Sequence, residues 1–72
     1  MMITKQKKER ANFFLRKRTL VHIKTKKDFY NGYIVEVHSD KIIFDDRLFG
    51  EIIVFFEEIF RIEPYKDREV RP

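Results

Sequence analysis

The feature that most constrains this chain is the run Ile52-Ile53-Val54-Phe55-Phe56, followed after two glutamates by Ile59-Phe60-Arg61-Ile62. Side chains on a strand point alternately to its two faces. Ile52, Val54 and Phe56 therefore share one face, while Ile53 and Phe55 make the opposite face apolar too. A chain of 72 residues buries only about 60% of its unfolded surface and has room for a single core. That core cannot take both faces. Either an N-terminal helix covers the outer one, or a second copy of the chain does. Ile53, Phe55 and Phe60 are accordingly the expected subunit contacts.

Other ways of stabilising so small a domain are closed. The chain has no cysteine, which excludes disulfides, thiol chemistry and Cys-based zinc sites. Two histidines, His22 and His38, are too few for a histidine-rich metal cage. Oligomerisation remains as the expected source of stability. With 43% hydrophobic and 15% aromatic residues, the composition is not that of a disordered chain. The apolar run of five is far short of the roughly 20 residues that span a bilayer. No apolar stretch follows the N-terminal lysines, as a signal peptide would require. The expectation is a soluble, cytoplasmic protein without a cofactor.

Alternation and turn residues divide the chain into three parts. Residues 1–18 read as a basic arm and helix, with Thr4 as a candidate N-cap. Its apolar residues, Ala11, Phe13, Phe14 and Leu15, cluster at one end. A cluster so short suits docking onto the body better than lying in a membrane surface, and membrane attachment is not expected. Residues 19–64 read as five short strands: Thr19 to Thr25, Phe29 to Val37, Lys41 to Asp45, Glu51 to Phe56 and Ile59 to Glu63. Gly32 interrupts the long second strand, as a bend or close backbone approach demands. Pro64, lacking an N–H, is expected to end pairing. Residues 65–72 form a polar tail. Five close-spaced strands, one long and bent, predict a mainly β fold: a small SH3-like barrel behind an α-helix.

Charge is uneven. Residues 1–18 carry seven basic side chains against one acid, a net +6, whereas the rest carries nine basic and eleven acidic, a net −2. A cationic arm on a slightly acidic body points to a polyanionic partner, nucleic acid before lipid.

Three segments together resemble the Sm-like family, most closely its bacterial Hfq branch. Asn12-Phe-Phe-Leu-Arg16-Lys17-Arg18 looks like the end of that branch's helix, and Phe29-Tyr-Asn-Gly32-Tyr-Ile34 is similar to the family's first motif. Gly50-Glu-Ile-Ile-Val-Phe-Phe-Glu-Glu-Ile59-Phe-Arg-Ile62 has the shape of the second motif, two strands joined by a very short turn. The resemblance implies a bent Sm-like barrel, a homo-oligomeric ring of six or seven subunits, and single-stranded RNA as partner. The turn between the last two strands departs from the family, placing Phe56, Glu57 and Glu58 where basic residues commonly line the pore. Carboxylates there repel phosphate, which moves the expected RNA contact to the rim. Arg16, Lys17 and Arg18 match the family's rim cluster. His38 and Lys41 are expected to add contacts, and Tyr30 and Tyr33 to offer stacking surfaces.

Nothing points to catalysis. There is no Gly-rich phosphate loop or cysteine nucleophile, and the carboxylate pairs Asp45-Asp46 and Glu57-Glu58 read as solvated turn charges. Two alternatives to an RNA-binding ring stand beside it. One is a ring-forming protein-interaction module without an RNA site. The other is a monomeric SH3-like module associated with nucleic acid or the ribosome.

Overall fold

The computed structural model describes residues 3–66, so the expected tail beyond Lys66 lies outside the described residues. The elements are α1 (Thr4–Lys17), β1 (Val21–Thr25), β2 (Phe29–Val37), β3 (Lys41–Asp46), β4 (Gly50–Phe55), a single 3₁₀ turn (Phe56–Glu58) and β5 (Ile59–Pro64). The protein is an N-terminal helix followed by a five-stranded antiparallel sheet in the order β4-β3-β2-β1-β5. The sheet bends without closing. β4 and β5 form its two edges and do not pair with each other.

Helix α1 forms because residues 5–17 contain no glycine, proline or β-branched residue. Its buried stripe, Lys7, Ala11 and Phe14, follows the spacing of one helical face. The start differs from expectation: Thr4 is the first helical residue and Ile3 holds the cap position. There the Ile3 backbone N–H donates to Gln6 Oε1 at 3.2 Å. At the other end, Thr19 N–H reaches back to the Phe14 carbonyl at 3.2 Å, which places Arg18 in the left-handed region at φ 55°.

Alternation puts Val21, Ile23, Ile34, Ile42, Phe44 and Val54 on the inner face, where Phe56, Ile59, Ile62 and the helix residues Ala11 and Phe14 join them. Bulges at Val35 and Phe60 re-aim the flanking residues and add to the bend. Gly32 lies where β2 passes closest to β3, so that a Cβ there would sit 1.9 Å from the Asp45 carbonyl oxygen. The last strand runs past its expected end. Pro64 still opposes Val21, and Tyr65 N–H donates to the Leu20 carbonyl at 2.9 Å. An edge strand tolerates proline because the missing N–H removes no bond from the ladder's interior.

α1 packs against β2, β5 and the 3₁₀ turn. It leaves the outer faces of both edge strands uncovered: Ile53 and Phe55 on β4 and Phe60 on β5 remain 57%, 40% and 43% exposed. The helix therefore does not account for the second apolar face. Among the described residues no helix is long and apolar enough to cross a membrane.

Tyr30 turns inward and packs on the core. Burial, reinforced by the carboxylates of Asp28, Asp46 and Glu58, pushes its phenol above the usual value of 10.0. The folded protein thus keeps this proton at pH values where the unfolded chain has begun to release it. The contribution is complete below about pH 10 and is lost as pH rises from there through the raised folded value. Tyr30→Phe is expected to flatten the alkaline decline in stability, read as the difference in urea midpoint between about pH 9 and about pH 11. An identical decline in both proteins would assign the effect elsewhere.

Candidate nucleic-acid interface

The cationic arm separates into two groups once folded. Lys7 is buried and its ammonium donates to the Phe56 carbonyl at 2.8 Å, fastening α1 to the 3₁₀ turn. Arg10 Nε donates to the Ile62 carbonyl at 2.9 Å, and its guanidinium lies 5.3 Å from the centre of the Phe14 ring. Both cations clasp the helix to the sheet. Lys7 and Arg10 stand four residues before Ala11 and Phe14 respectively, and that spacing was the available sequence signal.

Arg16, Lys17 and Arg18 form the exposed last turn and cap of α1. Among the described residues none of them makes an ion pair; the two pairs within 4.0 Å are His38–Glu36 and Lys41–Asp40. Part of this charge is explained without a ligand, because cations at a helix C-terminus complement its dipole. Conformation adds a second point. Arg18 occupies a left-handed position that glycine fills at less cost. Arg18→Gly is therefore expected to stabilise the fold by about 0.5–1 kcal/mol while weakening nucleic-acid binding. Thermal melting and oligonucleotide titration of one variant check both halves.

Tyr33 is 47% exposed and lines one concavity with Arg18, Leu15, Ile34 and Val35. A tyrosine and an arginine thus line one concavity, residue types that can stack on a base and hold a phosphate. Tyr30 is placed differently: one strand position out of phase with Asn31 and Tyr33, it faces the core. Part of its surface is taken up by that packing.

His38 and Lys41 sit in the β2–β3 hairpin, at the opposite end of α1. Ser39 and Asp40 of that hairpin share a concavity with Thr4, whereas the Arg18 concavity is at the helix C-terminus. At 1.5 Å per residue the two ends of α1 lie about 20 Å apart. Both hairpin cations also have carboxylate neighbours, His38 Nε2 at 2.8 Å from Glu36 and Lys41 Nζ at 3.4 Å from Asp40. The seven residues singled out for RNA contact thus resolve into one cluster of four, a separate hairpin pair and one half-buried tyrosine packed against the core.

Two of the groups read as solvated turn charges behave differently from each other. Glu57 and Glu58 are exposed on the 3₁₀ turn. Asp46 is buried: its carboxylate accepts the backbone N–H groups of Leu48 at 2.8 Å, Phe49 at 2.9 Å and Asn31 at 3.2 Å. His22 is half-buried, with Nδ1 2.7 Å from Asn31 Oδ1. Among the described residues no three His, Cys, Asp or Glu side chains converge as metal ligands would.

Comparison with protein-family models gives no match to this chain, and comparison with curated proteins gives none either.

Proposed function

We propose that this chain is a divergent Sm-like subunit that assembles into a homo-oligomeric ring and binds single-stranded RNA at its rim, in the cytoplasm and without catalysis. The observation that carries the RNA reading is the junction of α1 and β2, where Arg18 and Tyr33 line one concavity beside the exposed Arg16 and Lys17. Guanidinium groups hold phosphate oxygens bidentately, and an exposed tyrosine adds roughly 1–3 kcal/mol per stacked base. The acidic turn Glu57-Glu58 disfavours a phosphate path through the pore. Ring assembly draws its support from the two free sheet edges and from the exposure of Ile53, Phe55 and Phe60.

Fluorescence polarisation of the intact chain with uridine-rich and adenine-rich oligonucleotides at low salt tests the reading. Binding whose log affinity falls steeply with log salt is the expected result. Absence of binding to either would leave a protein-interaction module, the second reading, which the exposed apolar hairpin residues Leu48 and Phe49 favour. RNA binding by a species of one-protomer mass would select the monomeric SH3-like module.

A further inference from the structure

Two hairpin turns lie at the same end of the sheet. The β1–β2 turn leads into β2, and the β3–β4 hairpin runs beside the start of that strand, where Arg47 N–H donates to the Asn31 carbonyl at 2.8 Å. The tip of the β3–β4 hairpin presents Leu48 at 86% and Phe49 at 69% exposure, and Phe29 at the start of β2 is 61% exposed. Single apolar side chains on a surface are ordinary. Three brought to one end by the pairing of separate strands make a patch.

Both turns are fixed. The buried Asp46 carboxylate accepts the N–H groups of Leu48 and Phe49, and Gly50 supplies the left-handed turn at φ 78°. In the β1–β2 turn, Thr25 N–H donates to the Asp28 carbonyl at 2.8 Å, and Asp28 N–H donates back to Thr25 Oγ1 at 3.1 Å. Lys26 and Lys27 are held exposed between them. Side chains presented by a fixed turn lose little entropy on binding.

Cations surround the apolar side chains. Lys24 is the cross-strand partner of Phe29, and its ammonium lies 6.0 Å from the centre of that ring. On its other side Lys24 opposes Arg61, and both are exposed. Like charges placed opposite each other destabilise a strand pair, a cost that an anion between them removes. Among the described residues, Lys24, Lys26, Lys27, Arg47 and Arg61 make no ion pair. The exposed acids here are Asp28, Glu58 and the Asp45–Glu51 pair one rung behind the tip, which leaves a small cationic excess.

We propose that this end of the sheet docks on the surface of an anionic bilayer, with Leu48, Phe49 and Phe29 entering the boundary between headgroups and acyl chains and Lys24, Lys26 and Lys27 resting on the headgroups. The side chains select this occupant. Leucine neither stacks on a base nor donates a side-chain hydrogen bond, so a nucleic-acid strand leaves Leu48 in water. The bilayer boundary takes leucine, phenylalanine and lysine together. Helix α1 has no long apolar face for such a contact; the two turns assemble one from residues distant in sequence. None of these residues lines the Arg18–Tyr33 concavity, so the contact is independent of RNA binding. In a ring, cyclic symmetry sets the equivalent tips at one height along the axis, and a flat membrane meets all of them at once.

Flotation of the intact chain with vesicles of equal parts phosphatidylserine and phosphatidylcholine tests the surface. At low salt the wild type is expected to float with these vesicles and to stay behind with phosphatidylcholine alone. Leu48→Ser with Phe49→Ser, and separately glutamate at Lys24, Lys26 and Lys27, should each cut the floated fraction by about tenfold. Alanine at Arg16, Lys17 and Arg18 should leave it in place. All the substituted side chains are exposed, and an unaltered melting curve identifies a folded variant. The chain has no tryptophan, so Phe49→Trp supplies a single reporter whose emission should shift to the blue on phosphatidylserine vesicles. A wild type that stays behind with both vesicles would overturn the proposal and leave the RNA reading standing. Flotation abolished by the Arg16, Lys17 and Arg18 variant but kept by the lysine variant would move the contact to α1 and overturn it equally. Undiminished flotation of the serine variant, with no blue shift at position 49, would overturn insertion of the tip.

Discussion

Replacing Gly32 with alanine is expected to unfold this protein. The new Cβ would lie 1.9 Å from the Asp45 carbonyl oxygen and 2.8 Å from its carbon. These are backbone atoms of the adjacent strand, so no side chain can rotate to make room. Relief requires β2 and β3 to separate where Gly32 opposes Asp46 and Tyr33 opposes Asp45. That opening would strain the buried Asp46 carboxylate, which ties Asn31 on β2 to the β3–β4 hairpin. Overpacking in a rigid setting costs about 3 kcal/mol or more. A domain of this size has on the order of 5 kcal/mol in total. Circular dichroism and denaturant titration should show the Gly32→Ala chain largely unfolded or with its midpoint cut by more than half. A variant melting like the wild type would mean that the two strands do not approach this closely.

The second large effect concerns binding. Alanine at Arg16, Lys17 and Arg18 together is expected to reduce affinity for single-stranded RNA about 100-fold at roughly 0.1 M salt. Each phosphate neutralised contributes about 0.7 to the slope of log affinity against log salt on a single strand. Loss of three contacts therefore lowers the slope by about 2, which at that salt is two decades in affinity. Because phosphate contacts carry no sequence information, uridine-rich and adenine-rich strands should lose alike. The fold should tolerate the change, since all three side chains are exposed and the clasps to the sheet are made by Lys7 and Arg10. Unchanged affinity and slope in the folded triple variant would remove the rim as the RNA site. Tyr33→Ala separates the remaining contribution: it should weaken binding while leaving the slope in place.

What could be read in advance was local. The period-two alternation of Val21 with Ile23, Ile42 with Phe44, and Val54 with Phe56 located three strands and their inner face. Gly32 marked the close passage between strands, and the absence of helix breakers in residues 5–17 marked the helix. Ile53 and Phe55 were legible as a second apolar face because alternation assigns them outward, whereas Phe60 is turned outward by the bulge, which alternation does not foresee. Of the candidate interface, the cation cluster was legible as a run of adjacent residues, and Tyr33 as a strand aromatic.

Tertiary structure decided which charges are at liberty and which are engaged. Lys7 and Arg10 look in sequence like Lys5 and Arg16, and only the docking of α1 brings their side chains to the Phe56 and Ile62 carbonyls, 49 and 52 residues away. Asp46 looks like Asp45, yet the twist of the hairpin turns it under three backbone N–H groups. His38 and Lys41 are parted from Arg18 by the length of the helix, a separation set by how α1 lies across the sheet. The opposition of Asp45 to Glu51, and of Lys24 to Arg61, exists only in the pairing register. Hydropathy alternation is a property of neighbours along the chain and survives in the bare sequence. Pairing register and helix docking depend on the summed free energy of contacts between distant residues, which takes a value only when the whole core is assembled.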